Sequence, residues 1–467
     1  MHLHPDRLFP IDGATRHIAK RLYESVKKLP IISPHGHTDP AWFALNEPFE
    51  NATSLLITPD HYVFRMLYSQ GVPLTELGIK GNQGKLKESD PRKIWRTFAE
   101  YFYLFQGTPS RIWFEDALEG IFGITERLNV ENCDAVYEEI QRQLEQPECL
   151  PRSLFDQFNI EFLATTESPL DPLAHHDTIR SSGWSGRVVT TYRPDSIIDP
   201  EFEDFQNNLK QFANITGEDT FSYAGYLNAH RKQREAFRAR GATATDHGHP
   251  TAGTASLRPD EAAALFKRVT GNNVPSSDAE LFRRHMLTEM AKMSLQDGMV
   301  MQIHPGSYRN HNQWLFDQYG RDKGADIPMQ TDYVSALKPM LDVVGNEASL
   351  TIILFTLDET AYSRELAPLA GHYPSLKLGP PWWFFDSPEG ILRYKRSVVE
   401  TAGFYNIAGF NDDTRAFLSI PARHDMSRRM DCRFLAELVA EHRLDESEAY
   451  ELAKQLAYQL AKDSYKI

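Results

Sequence analysis

Two histidines one residue apart can close on a single metal ion when the backbone sends both rings the same way. Three such His-x-His pairs occur here, at His2 and His4, His35 and His37, and His247 and His249. With 17 histidines in 467 residues, chance alone gives roughly 0.6, so each pair is weighed by its surroundings. His2 and His4 lie at the amino terminus, where a solvated tail explains them. His35 and His37 follow the β-rich run 30–34. A strand period of two sends both imidazoles to one face at the strand's C-terminal end. Neutral imidazole is a good ligand for zinc and neighbouring divalent ions, and two leave room for a carboxylate and an open position. The competing reading is a polar strand end whose histidines bond to neighbours. His247 and His249 also follow a strand-like run, although Gly248 and Pro250 indicate that the chain is already turning. His247 is read as substrate-binding, and a second metal stays open. His304 closes the run 299–304, where a third imidazole can touch metal or substrate.

A carboxylate for the same ion is sought in Asn411-Asp412-Asp413-Thr414-Arg415. Alternation lets one aspartate face the barrel mouth together with Arg415, and parity selects Asp413. Such a carboxylate can complete the metal site or take a proton, while Arg415 can hold an anionic group by bidentate contacts. A surface ion pair is the alternative. Arg193 and Arg309 add guanidiniums after the third and fifth runs. Cations gathered in an acidic protein suggest an acidic small substrate. Trp382 and Trp383 follow the seventh run, where stacking on a sugar and plain packing are equally good readings. Met286, Met290 and Met293 fall at helical spacing and read as core.

The elements that must position these groups recur regularly. Eight β-rich runs, at 30–34, 160–166, 187–192, 242–246, 299–304, 350–356, 375–379 and 405–411, end in polar residues and mostly precede helical stretches. That alternation is the pattern of parallel βα units, and eight closes a (β/α)8 TIM barrel with active-site groups at the strands' C-terminal ends. Ser277 and Glu280 have capping-box spacing before a helix that runs to Asp297 and stops at Gly298. Another helix spans 222–240 and ends at Gly241. The segment 40–158 is too long for a βα loop and shows helical periodicity, as over 92–105, so it reads as a helical insertion subdomain over the mouth. The expected organisation is an N-terminal extension at 1–29, a catalytic barrel at 30–39 plus 159–440, the insertion, and an amphipathic C-terminal helix within 441–467.

Composition narrows the function classes. The hydrophobic share of 41% and charged share of 24% are those of a soluble globular protein. A formal charge of -14 repels a phosphate backbone, so nucleic acid is not expected as a partner. Cys133, Cys149 and Cys432 form no CxxC and suit a reducing compartment without structural disulfides. The first ten residues lack the apolar stretch of a secretory signal and no run reaches membrane-spanning length, so a cytoplasmic protein without a membrane partner is expected.

The segments 33–39 (Ser-Pro-His-Gly-His-Thr-Asp), 60–65 (Asp-His-Tyr-Val-Phe-Arg), 164–166, 192–195, 246–248, 304–312 and 413–417 (Asp-Thr-Arg-Ala-Phe) together resemble the uronate isomerases of the amidohydrolase superfamily, over nearly the full chain. The resemblance implies a distorted (β/α)8 barrel with a helical insertion after strand one. It also implies one divalent metal, zinc first and manganese or ferrous iron as alternatives. His35, His37 and Asp413 would form its site, with His304 as a weak ligand. Tyr62 corresponds to the family's active-site tyrosine, Arg193 and Arg415 would hold the substrate, and Asp413 would be the base. The implied reaction interconverts D-glucuronate with D-fructuronate and D-galacturonate with D-tagaturonate through a cis-enediol, on a small sugar acid, in a chain that could form a homo-oligomer. Two departures are Ser33, where many amidohydrolases carry aspartate, and the His249-Pro250 sequence after Asp246-His-Gly. A metal-dependent hydrolase of the same superfamily is the second reading, and a non-catalytic sugar-acid-binding barrel the third.

Overall fold

The computed structural model describes residues 3–82, 84 and 86–467. His2 therefore lies outside the described residues. His4 sits in irregular chain, where its Nδ1 accepts the Asp6 N–H at 3.1 Å.

Seven parallel strands form the main sheet: β1 (Ile31–Ser33), β2 (Ile160–Glu167), β3 (Val188–Tyr192), β4 (Ala244–His247), β5 (Val300–Ile303), β6 (Ile352–Leu354) and β7 (Leu376–Leu378). They pair in sequence order, as expected for successive right-handed βα units. Ala244 is opposite Val300, Met301 opposite Ile352, and Ile352 opposite Leu376. Each strand is short, and helices such as Tyr223–Arg238 and Pro388–Ala402 return the chain between them.

The eighth run is a correction. Residues 405–411 contribute one isolated parallel bridge, Ile407 to Leu378, rather than a strand. The reason lies at Gly409, whose φ of +82° takes the chain out of the extended region and whose missing Cβ would sit 2.6 Å from the Ala461 N. A glycine here admits the C-terminal helix at the expense of the ladder. Closure toward β1 comes instead beyond the strand ends, where the His37 N–H donates to Thr414 O at 2.9 Å.

Alternation along the strands separates two interiors. Met301, Ile303, Ile352, Leu354, Leu376 and Leu378 pack outward against helices. Ile32, Phe162, Ala164 and Val189 cluster with Ala461, and Ala244, Val300, Ile353 and Phe355 with Tyr465. The C-terminal helical segment thus plugs the barrel: Glu446–Lys454 opens with an Asp445/Glu448 capping box, passes a π-turn, and continues as Leu460–Tyr465.

Between β1 and β2, helices from Pro40–Leu45 to Pro151–Gln157 share one apolar cluster with Ile31, Ile160 and Val188. The periodicity at 92–105 resolves into the α-helix Pro91–Glu100 and a separate 3-10 turn, Phe102–Phe105. The helix Ser276–Asp297 ends at Gly298 as expected, but its N-cap is Pro275, without a side-chain bond. Glu280, expected to complete a capping box, accepts from Thr251 Oγ1 at 2.9 Å and Arg284 Nε at 2.7 Å. Met286, Met290 and Met293 are buried core, and the three cysteines are free and buried. Among the described residues, no helix is long and apolar enough to cross a membrane.

Candidate active site and metal centre

The sheet ends at Ser33, and the chain bends at His35 instead of continuing as strand. The two histidines owe their common aim to this exit, because strand alternation from Ile32 would turn them outward. Two bonds fix it: Thr166 Oγ1 donates to Gly36 O at 2.9 Å, and His37 is pinned to Thr414 as above. The rings stand edge to face at 5.3 Å. Their Nε2 atoms lie 3.5 Å and 3.2 Å from the same Asp413 Oδ1.

Asp413 reaches that point from a left-handed backbone, φ +38°, which a non-glycine residue adopts only under constraint. Asp412, its neighbour, turns away and meets His424 Nε2 at 3.0 Å. The buried Arg423 supplies the constraint. Its Nη1 donates to Asp412 O at 3.2 Å and Asp386 Oδ2 at 2.6 Å, and its guanidinium lies 3.5 Å from the Trp113 ring centre.

His304 Nδ1 bonds Asp246 Oδ1 at 2.7 Å, while its Nε2 is buried with no partner. Its ring stacks on His35 at 4.9 Å. The potential ligand atoms form two overlapping groups that share His35, one with His37 and Asp413 and the other with Asp246 and His304. Burial pushes the His35 imidazole down to about 4, against the pull of Asp246 and Asp413, so the ring is neutral near pH 7 and offers a lone pair. Burial opposes ionisation of Asp413, but His35 and His37 outweigh it and hold this carboxyl well below its usual range. The neutral His35 ring, the His37 imidazole beside it, an ionised carboxylate and an orphaned buried nitrogen fit a divalent ion.

These groups open into a cavity of about 750 Å³ at the strands' C-terminal ends. His35, His37, Tyr62, Arg193, His304 and Asp413 line it, as do Arg309, Arg415 and Trp383. His247 does not: β4 alternation gives the inward position to Asp246 and puts His247 on the face of Thr245, whose Oγ1 lies 3.1 Å from its Nε2. His247, expected from the sequence to touch substrate, thus lies outside the cavity lining.

The guanidiniums differ in how far they are committed. Arg193 Nε donates to Asp195 at 3.1 Å, and its Nη1 faces Asp246 at 3.4 Å. A Cβ at Gly248 would lie 2.7 Å from Arg193 Nη2, so only glycine leaves that arm its place. Arg309 bonds Asp326 at 2.8 Å and lies over Trp383. Among the described residues, Arg415 has only a distant partner, Asp322 at 3.9 Å, and is the least committed of the three.

Asp60 caps the helix His61–Tyr68 by accepting the Tyr62 N–H at 2.8 Å, which places His61 and Tyr62 in its first turn. Burial, opposed by Arg423 and reinforced by Asp413, pushes the Tyr62 phenol well above 10. It therefore keeps its proton. Burial, with Arg415, pushes His61 down to about 3, so its neutral Nε2 accepts the Trp383 Nε1–H at 2.8 Å. Trp383 has φ +57°, a strained geometry that this bond and Arg309 hold in the cavity wall. A neighbouring cavity of about 760 Å³, walled by Trp42, Phe49 and Phe64, shares His37, Asp322 and Arg415.

Sequence reasoning missed Asp246, Gln302, His61 and Arg423 as parts of this assembly. For Asp246 and Gln302 the inward parity of β4 and β5 was an available signal. Gln302 has its amide 3.4 Å from His35 Nδ1 and accepts from Tyr465 at 2.8 Å. Arg423 is on a distant helix, and nothing local marks it.

Histidines and a carboxylate gathered above a curled parallel sheet define a distorted (β/α) barrel with a candidate divalent-metal site at its mouth. Residues 13–465 match the family model described as glucuronate isomerase. The uronate isomerase of Sphingopyxis alaskensis is 63% identical over 471 residues, covering 100% of this chain and 99% of that one. The crystal structure of glucuronate isomerase from Caulobacter crescentus superposes with a TM-score of 0.98 at 60% identity, covering 100% of this chain and 97% of the other. That of uronate isomerase from Thermotoga maritima gives 0.92 at 28% identity, with full coverage of both. The chain belongs to the glucuronate isomerase family, and it is an aldose–ketose isomerase.

Proposed function

We propose that this isomerase interconverts D-glucuronate with D-fructuronate, and D-galacturonate with D-tagaturonate, by moving a proton from C2 to C1 through a cis-enediol with Asp413 as base. The carrying observation is the Asp413 carboxylate, held on a constrained backbone against His35 and His37 and facing a cavity that contains Arg193, Arg309 and Arg415. The loosely paired Arg415 takes the substrate carboxylate by bidentate contacts, with Arg193 on the neighbouring hydroxyls. The sugar chain is thereby held in register. Trp383 offers a ring face to the carbon skeleton.

In the forward step Asp413 removes the C2 proton, and the released electron pair forms the C1–C2 double bond as the aldehyde oxygen O1 takes a proton from Tyr62. Asp413 then returns its proton to C1 while the O2 hydroxyl gives its own back to Tyr62, leaving the ketone at C2. Each residue ends as it began. Held above its ordinary pKa by burial, the phenol keeps its proton in the resting enzyme and so has one to give. His35, His37 and Asp413 would hold the divalent ion, with zinc the best match to two nitrogens and one oxygen and manganese or ferrous iron as alternatives. When bound, it supplies positive charge that anchors substrate oxygens. Free, buried cysteines suit a cytoplasmic location.

The test is conversion of each uronate by metal-replete protein in deuterated water, with deuterium expected at the migrating position. Failure to isomerise either sugar acid overturns the proposal.

A further inference from the structure

The strand-four histidines have no part in this chemistry. His247, His249 and Asp195 each offer a ligand-type atom within 4.8 Å of the other two. His247 is fully buried and His249 is 5% exposed. His247 spends Nε2 on Thr245, its Nδ1 has no hydrogen-bond partner, and neither has His249 Nε2. Buried polar atoms normally find partners, so two orphaned imidazole nitrogens on histidines grouped with a carboxylate call for something to satisfy them. Asp195 is held ready. Its Oδ2 accepts from Arg193 Nε at 3.1 Å, and both its oxygens receive the Gly248 N–H at 3.2 and 3.1 Å.

We propose that Asp195, His247 and His249 bind a second divalent cation of the zinc class, separate from the centre at His35, His37 and Asp413. Two imidazoles and a carboxylate are a zinc-type donor set. Burial pushes both imidazoles below their ordinary value, which leaves them neutral as ligands must be. The surrounding charge is mixed. Asp195, Asp199 and Glu280 act on His249 against Arg283, and Asp246 acts on His247 against Arg193 and Arg234. An ion here ties the loop after β3, which carries Arg193, to the loop after β4, which carries Gly248. Its function is to hold the Arg193 arm in place, and it has no part in proton transfer. A trapped water could satisfy the same nitrogens, and the experiment separates the two.

The full-length protein is equilibrated with Zn²⁺ and crystallised, and diffraction is recorded on both sides of the zinc absorption edge. Two anomalous peaks per chain are expected, one among Asp195, His247 and His249. In solution, zinc content of about two per chain should fall to about one in His249→Gln, and His37→Asn should retain the ion at Asp195. A single peak at His35 and His37, or a second site whose density shows no anomalous signal, overturns the proposal. The wild-type crystals decide the matter even if His249→Gln does not fold.

Discussion

The same three-residue pattern ends β1 and β4 and leads to opposite outcomes. After β1 the chain leaves the sheet at Ser33 and bends, and His35 and His37 bring Nε2 to a shared carboxylate oxygen at the cavity wall. After β4 the strand continues through His247, parity gives the interior to Asp246, and the rings of His247 and His249 stand 6.0 Å apart inside the protein. Whether two imidazoles come to face the cavity depends on where the backbone leaves the sheet and which carboxylate it then meets. Spacing alone decides neither.

The largest effect expected on this comparison comes from Asp413→Asn. The amide cannot take the C2 proton, so kcat should fall roughly a thousandfold or more while the fold stays intact. A loss of under tenfold would remove Asp413 as base. Next come the histidines themselves. His37→Gln should cost roughly a hundredfold in kcat under metal-replete assay, and His249→Gln no more than about tenfold, the range of an indirect support. Equal losses would erase the distinction between the pairs. Smaller again is Arg415→Met, which removes the least committed guanidinium. KM for the uronate should rise roughly 10- to 100-fold, as for loss of a charge-assisted bond of about 1.5–3 kcal/mol, with kcat less affected. An unchanged KM would pass the substrate carboxylate to Arg193 or Arg309.

Local sequence carried the strand ends well, since β5 at Val300–Ile303 falls within the run 299–304 and β2 within a residue of 160–166. Asp413 does face the cavity, but the left-handed turn there aims its carboxylate and strand parity does not apply. Where local sequence failed, a remote partner intervened. Residues 405–411 have strand character, yet a helix some fifty residues on needs Gly409 bent. Glu280 has capping-box spacing, but Thr251 and Arg284 claim its carboxylate. His247 stood out by type, and Asp246 beside it had the inward position. Tyr465, which reaches across the barrel to the glutamine beside His35, looks locally like any residue of an amphipathic helix. Such contacts are set by closure of the barrel and leave no mark in a window of a few residues.

Glu167 lies between the two kinds of strand end and gives the smallest predicted change. It ends β2 and lines the cavity as the cavity groups do, but its carboxylate accepts from the buried Thr190 hydroxyl. Burial, only partly opposed by Thr165 and Thr190, raises it to about 7 from the ordinary 4.5. A carboxyl raised in the fold stabilises it fully below the unfolded value. That contribution fades as pH climbs from about 4.5 through about 7, since the native state then holds a charge it disfavours. The ceiling on the loss is about 3 kcal/mol. Glu167→Gln, fixed in the neutral form, should escape it. Its Tm should be close to wild type near pH 5 and higher by a few degrees near pH 8. Were the gap to close or reverse at the higher pH, the fold would not disfavour the Glu167 charge and its carboxyl would not be raised. It would then belong with the cavity carboxylates, available to substrate, rather than with the buried groups that hold the strand ends in place.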